Sequence, residues 1–158
     1  MRPINLKRLI IAIGIPEAVG ALSALLVGNS REMYGGFEKP PLSPPGWLFP
    51  VVWVILYALM GIASYLVFES SKGKNGEKQE ALFFYALQLL VNFIWPIIFF
   101  GFGAYSVAVV VLVVLIALVI VTMIKFKPLD PTAFYLLIPY LVWLVFALYL
   151  NIGVAVLN

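Results

Sequence analysis

Between Glu80 and Lys125 the chain runs for 44 residues without a charged side chain. A helix needs about 20 apolar residues to cross roughly 30 Å of hydrocarbon, so this run is long enough for two crossings. Gly101 and Gly103 fall near its middle, where glycines favour a turn. The run is therefore read as a tight helical hairpin, 81–100 and 105–124. The same rule applied to the other charge-poor stretches gives spans at about 9–27, 47–68 and 132–157. The expectation is an all-α integral membrane bundle of five transmembrane helices, one domain over 1–158, with the Pro- and Gly-rich stretch 28–46 as a loop.

Composition narrows the chemistry. Hydrophobic side chains make up 64% and charged ones 11%, against about 45–50% and 25% in an ordinary soluble domain. The chain contains no cysteine and no histidine. That excludes disulfides, thiolate nucleophiles, Ser-His-Asp triads and imidazole-ligated haem, and no metal site or cofactor is expected. A net charge of +3, scattered along the chain, is no footprint for nucleic acid.

Arg2, Lys7 and Arg8 ahead of an apolar run also fit a secretory signal. The run, however, exceeds the usual 7–15 residues and contains Pro16 and Glu17. It is taken as the first helix. With five spans, the N-terminus, 69–80 and 125–131 share one side. They hold Arg2, Lys7, Arg8, Lys72, Lys74, Lys78, Lys125 and Lys127, while the other side holds only Arg31 and Lys39. The positive-inside rule then puts the N-terminus inside and the C-terminus outside, in the cell membrane if the source is prokaryotic. Glu77 and Glu80 read as the charged start of a helix facing water.

Three helices carry stripes unlike the aliphatic 105–124 segment. Gln88, Asn92, Trp95 and Phe99 recur on one face, as do Trp53, Tyr57, Gly61 and Ser64, and Tyr140, Trp143, Ala147 and Asn151. Large π-surfaces with sparse polar handles suit a flat apolar ligand. Amides and small residues also hold helices together in lipid, and Trp47, Trp53 and Tyr65 lie near enough to span ends for an interfacial belt. The stripes alone leave both readings open. Pro16, Pro96 and Pro139 sit inside spans and free the carbonyls of Ala12, Asn92 and Tyr135, so kinks are expected there. Glu17 is the one ionisable side chain in a span and should face the bundle interior or water. With no cationic partner in the membrane it is expected as a neutral acid hydrogen-bonded to a neighbouring helix, the alternative being a proton or ligand contact. Gly20, Ala24 and Gly28 form a small-residue ridge for close packing. Tyr34, Phe37, Gly35-Gly36 and the prolines at 40, 41, 44 and 45 make 28–46 a candidate lid.

Three blocks carry a resemblance. Tyr34-Gly-Gly-Phe-Glu-Lys-Pro-Pro-Leu-Ser-Pro-Pro-Gly-Trp47 continues through Trp53 and Tyr57 to Ala63. Gln88-Leu-Leu-Val-Asn92-Phe-Ile-Trp95-Pro lies on the third span, and Pro139-Tyr140-Leu-Val-Trp143 with Ala147 and Asn151 lies on the fifth. In order and spacing they resemble the translocator protein family (TspO/MBR, tryptophan-rich sensory protein). The resemblance implies a five-helix bundle, a homodimer in the lipid bilayer, and a cavity beneath the first loop for porphyrins such as protoporphyrin IX and other apolar small molecules. It implies Tyr34, Pro44, Trp53, Tyr57, Asn92, Trp95, Trp143 and Ala147 as ligand-binding residues of a receptor or carrier; Gln88, on the same face as Asn92 and Trp95, is counted with them. It also implies an alternative, light-dependent porphyrin breakdown involving Trp53 and Trp143; no other catalytic residue stands out. No base follows Tyr149, so sterol recognition by the pattern of the animal members is not expected.

Overall fold

The computed structural model describes residues 3–74 and 76–158. Arg2, one of the eight basic residues counted above, and Asn75 of the 69–80 connector lie outside the described residues. The helices are α1 (Leu6–Val27), α2 (Ser30–Gly36), α3 (Leu48–Phe68), α4 (Glu77–Pro96), α5 (Tyr105–Phe126), α6 (Pro131–Leu136) and α7 (Ile138–Leu157). A five-residue π turn, Ile97–Gly101, extends α4. Among the described residues, five segments are long and apolar enough to cross a membrane: α1, α3, α4 with its π turn, α5, and α6 with α7. The expected all-α bundle of five spans is what the chain forms.

Helix starts follow local chemistry. The Asn5 side chain accepts a hydrogen bond from the Arg8 backbone N–H at 3.1 Å, so α1 begins at Leu6, three residues ahead of the expected start. Glu77 and Glu80 occupy the first turn of α4, where carboxylates complement the helix dipole, so that helix begins at 77 and not 81. Asp130 accepts from the backbone N–H groups of Thr132 and Ala133 ahead of Pro131 at the first helical position.

The prolines act differently from one another. Pro16 lies inside an unbroken α1. The Ala12 carbonyl that it frees lies against Gly61 of α3, so closely that a Cβ on Gly61 would strike Ala12 and Ile13 backbone atoms. Pro96 ends the regular turns of α4 and the π turn follows it. Pro139 kinks nothing: it sits in the first turn of α7, and the fifth span is two helices that break at Leu137. A proline tolerated at a helix start explains the break. The small-residue ridge is not one packing face either. Gly20 lies under the Tyr57 ring, whereas Gly28 ends α1 at φ 80° with nothing near its Cβ position.

Around the bundle, α1 lies against α3 and α4, α4 against α5, α5 against α7, and α6 closes the ring onto α3. Ties at the basic end are Arg8 to Glu69 (3.0 Å), Lys125 to Glu80 (2.8 Å) and the Asn5 N–H to the Tyr65 hydroxyl (2.8 Å). Tyr65 is thus buried in a tie, and of Trp47, Trp53 and Tyr65, Trp47 alone is exposed as an interfacial belt requires. Helix α5 buries Ala108, Leu112, Leu115, Val119, Thr122 and Phe126 on one face and exposes valines and isoleucines on the other.

Candidate ligand-binding site

The 28–46 segment is not a plain loop. Its first part is α2, and its return strap is fastened to α7. The Tyr34 hydroxyl donates to the Pro44 carbonyl. Lys39 Nζ donates to the carbonyls of Tyr34 (3.0 Å) and Phe37 (3.1 Å), satisfying the last turn of α2. The Tyr149 hydroxyl donates to the Pro41 carbonyl at 2.6 Å, and the Asn158 side chain bonds both backbone groups of Glu38. Phe37 inserts among Phe99, Phe100 and Tyr105, with ring centroids 5.3 to 6.2 Å away.

Beneath this roof lies a cavity of about 360 Å³. Gly20, Ala21 and Ala24 of α1 give it a wall without bulk. Phe49, Trp53 and Tyr57 of α3, Asn92, Trp95 and Phe99 of the α4 arm, Leu112 and Leu115 of α5, and Trp143 and Ala147 of α7 supply the rest. The rings brace one another in separate groups: Tyr34 meets Phe49 edge-on at 4.9 Å and Phe49 meets Trp143 at 5.7 Å, while Trp95 stacks on Phe99 at 4.9 Å. Such pairs hold one another upright and resist collapse into the space.

The floor is a hydrogen-bonded chain across three helices. The Tyr57 hydroxyl donates to Asn92 Oδ1 (2.7 Å), Asn92 Nδ2 donates to the Tyr140 hydroxyl oxygen (2.8 Å), and that hydroxyl donates to Gln88 Oε1 (2.8 Å). With little water to compete, each buried polar group here needs its partner. Asn151 does similar work at the side wall: its Oδ1 accepts from Trp95 Nε1 at 3.1 Å and its Nδ2 donates to the Tyr105 carbonyl. The buried Trp143 indole N–H has no hydrogen-bond partner among the described residues.

Seven of the nine residues singled out from sequence therefore share this cavity: Tyr34, Trp53, Tyr57, Asn92, Trp95, Trp143 and Ala147. Two do not. Gln88 is buried behind Tyr140 and serves the floor, and Pro44 lines a separate shallow pocket at the mouth with Arg31, Lys39 and Trp47. Glu17 lines the cavity and makes no hydrogen bond or ion pair with the described residues, so it is not the interhelical tie that a buried acid often is. Sequence reasoning passed over Phe49, although its spacing of four from Trp53 puts it on the same helical face.

Five spans around an aromatic cavity roofed by the first interhelical segment define a multi-pass helical membrane protein with an internal small-molecule-sized space. The profile of the TspO/MBR family matches residues 12–157. Similar proteins include the translocator protein of Ovis aries, 36% identical over 138 residues (87% of this chain, 82% of the relative). The tryptophan-rich protein TspO of Chlorobaculum tepidum is 37% identical over 151 residues, 95% of each chain. The tryptophan-rich sensory protein of Cereibacter sphaeroides is 38% identical over 147 residues, covering 93% of this chain and 87% of the relative. The chain belongs to the TspO/MBR family, and that membership supports a role as a membrane receptor or carrier.

Proposed function

We propose that the chain is a membrane receptor or carrier that takes flat apolar tetrapyrroles, such as protoporphyrin IX, into the cavity beneath the 28–46 segment. The observation that carries this reading is the wall itself: Trp53, Trp95 and Trp143 converge on one space with few polar groups. Ligand sites of this kind are mostly apolar, with a small number of placed donors and acceptors. A volume of about 360 Å³ is near the lower end for such sites, so it takes the body of a macrocycle and leaves an edge at the mouth. In the homodimer that the family resemblance implies, each copy would hold one such cavity. In the orientation proposed from the basic residues, the roof faces outside and the tied, basic end faces inside.

Binding is favoured over the alternative of light-dependent breakdown at Trp53 and Trp143. Among the described residues the wall carries one carboxyl group, Glu17, and no acid–base pair, so any photochemistry would have to be the excited macrocycle's own. Titrating the detergent-solubilised chain with protoporphyrin IX is expected to quench tryptophan emission saturably, and Trp143→Phe is expected to weaken binding. Quenching that never saturates, like that of a detergent blank, overturns the reading. Illumination of the complex separates the alternatives: a Soret band lost faster than that of free porphyrin favours the enzyme, and protection favours the receptor.

A further inference from the structure

Among the described residues, Arg31 is the only Lys or Arg on the cavity wall, and it lines the shallow pocket at the mouth as well. It therefore stands where the apolar space meets water. Its stem runs beside Gly46: a Cβ there would come within 3.3 Å of Arg31 Cγ and 3.9 Å of Nε. Unlike Arg8 and Lys125, which are paired with Glu69 and Glu80, Arg31 makes no ion pair or hydrogen bond with the described residues. The neighbouring cation is committed elsewhere, because Lys39 Nζ is held by the Tyr34 and Phe37 carbonyls and lies 4.9 Å from the Tyr34 ring centroid. Glu17, the one carboxyl group on the wall among the described residues, forms no ion pair with Arg31; it lies ten residues, roughly 15 Å of helix rise, below Val27 at the lid end of α1.

We propose that Arg31 is the carboxylate subsite of this cavity, so that the chain selects flat apolar ligands that carry an acid group on one edge. The apolar body lies among Trp53, Trp95 and Trp143, and the acid edge meets the guanidinium at the mouth. A planar fork of donors matches a carboxylate in a way that a lysine ammonium does not. The pairing sets which edge of the ligand enters first and discriminates acids from their neutral esters. This inference rests on the tetrapyrrole reading above and assigns to Arg31, not Lys39, the contact with the ligand's acid group.

The test compares protoporphyrin IX with its dimethyl ester, which keeps the macrocycle and removes both charges. Dissociation constants are measured by tryptophan quenching on the full chain in detergent, for the unaltered protein, Arg31→Gln, Arg31→Lys and Lys39→Gln. The unaltered protein is expected to bind the diacid about three- to tenfold more tightly than the diester, the scale of a charged contact that water partly screens. Arg31→Gln is expected to abolish that preference with ester affinity unchanged, Arg31→Lys to keep part of it, and Lys39→Gln to weaken both ligands alike. A preference that survives Arg31→Gln overturns the subsite while leaving the cavity reading intact. So does an equal loss for diacid and diester, since Arg31 would then only shape the roof. Saturable binding of neither ligand by the unaltered protein overturns the tetrapyrrole reading and the subsite with it.

Discussion

The lid end and the basic end of this bundle are built from the same spans, yet one encloses a cavity and the other is filled. Toward the basic end, Met60, Ala63 and Val67 of α3, Ala81 of α4, Phe126 of α5 and Ala133 of α6 are all at 0% exposure. Toward the lid, α1 offers Gly20, Ala21 and Ala24, and the facing helices offer half-buried rings. The Tyr57–Asn92–Tyr140–Gln88 chain lies at the boundary. The contrast shows how a cavity survives in lipid. Small residues withdraw bulk from one wall, mutually braced aromatics stop the others from closing, and a satisfied polar chain fixes the depth. Lipid is as apolar as the core, so packing and not water exclusion holds the filled end together.

Perturbing the filled end should have the largest effect on stability. Met60→Ala leaves a void in a region with no slack and is expected to lower stability by about 2–4 kcal/mol, read by thermal unfolding in detergent, with ligand affinity changed little in the fraction that stays folded. A change below about 0.5 kcal/mol would mean that this end is as loosely packed as the lid end. Next comes the boundary. Asn92→Leu keeps the branched shape and removes the partner of the Tyr57 and Tyr140 hydroxyls, an expected cost of about 1–3 kcal/mol with a loss of ligand affinity. If binding and melting are both unchanged, the polar chain does not set the cavity floor.

The roof should respond least. Tyr34→Phe removes the hydrogen bond to the Pro44 carbonyl and should cost about 1 kcal/mol or less. Burial pushes the Tyr34 hydroxyl above its ordinary value of 10.0, and a contact with Ser43 opposes the shift. The folded roof thus holds a proton that the opened roof releases first. Its contribution is fully present below pH 10.0 and is lost as pH rises through the raised value. Melting temperature in the unaltered protein should fall more steeply above that pH than in Tyr34→Phe; parallel curves would remove Tyr34 as the cause.

Much of the frame was legible because charge is costly in hydrocarbon. The gaps between charged residues gave five spans, and Asp130-Pro131 marked the start of the last one. Helix α2 was not legible. Seven residues ending in two glycines are too short to form a helix by propensity; Tyr34 burial and the Lys39 cap hold it through contacts that lie outside local sequence. The break at Leu137 was hidden because a proline at a helix start and one inside a helix look alike in a long apolar run. Within the site, helical spacing correctly grouped Asn92 with Trp95 and Trp53 with Tyr57. It could not say that Gln88, on the same stripe, lies one turn deeper behind Tyr140. That depends on where the Tyr140 hydroxyl of α7 reaches α4, which no single-helix pattern contains.

A matched pair of substitutions tests the contrast most directly. Ala147 of α7 lines the cavity and Ala63 of α3 is fully buried in the filled end. Ala147→Phe should place a ring in open space, keep the melting temperature close to that of the unaltered protein, and abolish saturable quenching by protoporphyrin IX. Ala63→Phe should overpack the filled end and lower stability by about 1–3 kcal/mol or more. Retention of full porphyrin affinity by a folded Ala147→Phe protein would contradict the account, because the ligand would then bind somewhere other than the cavity.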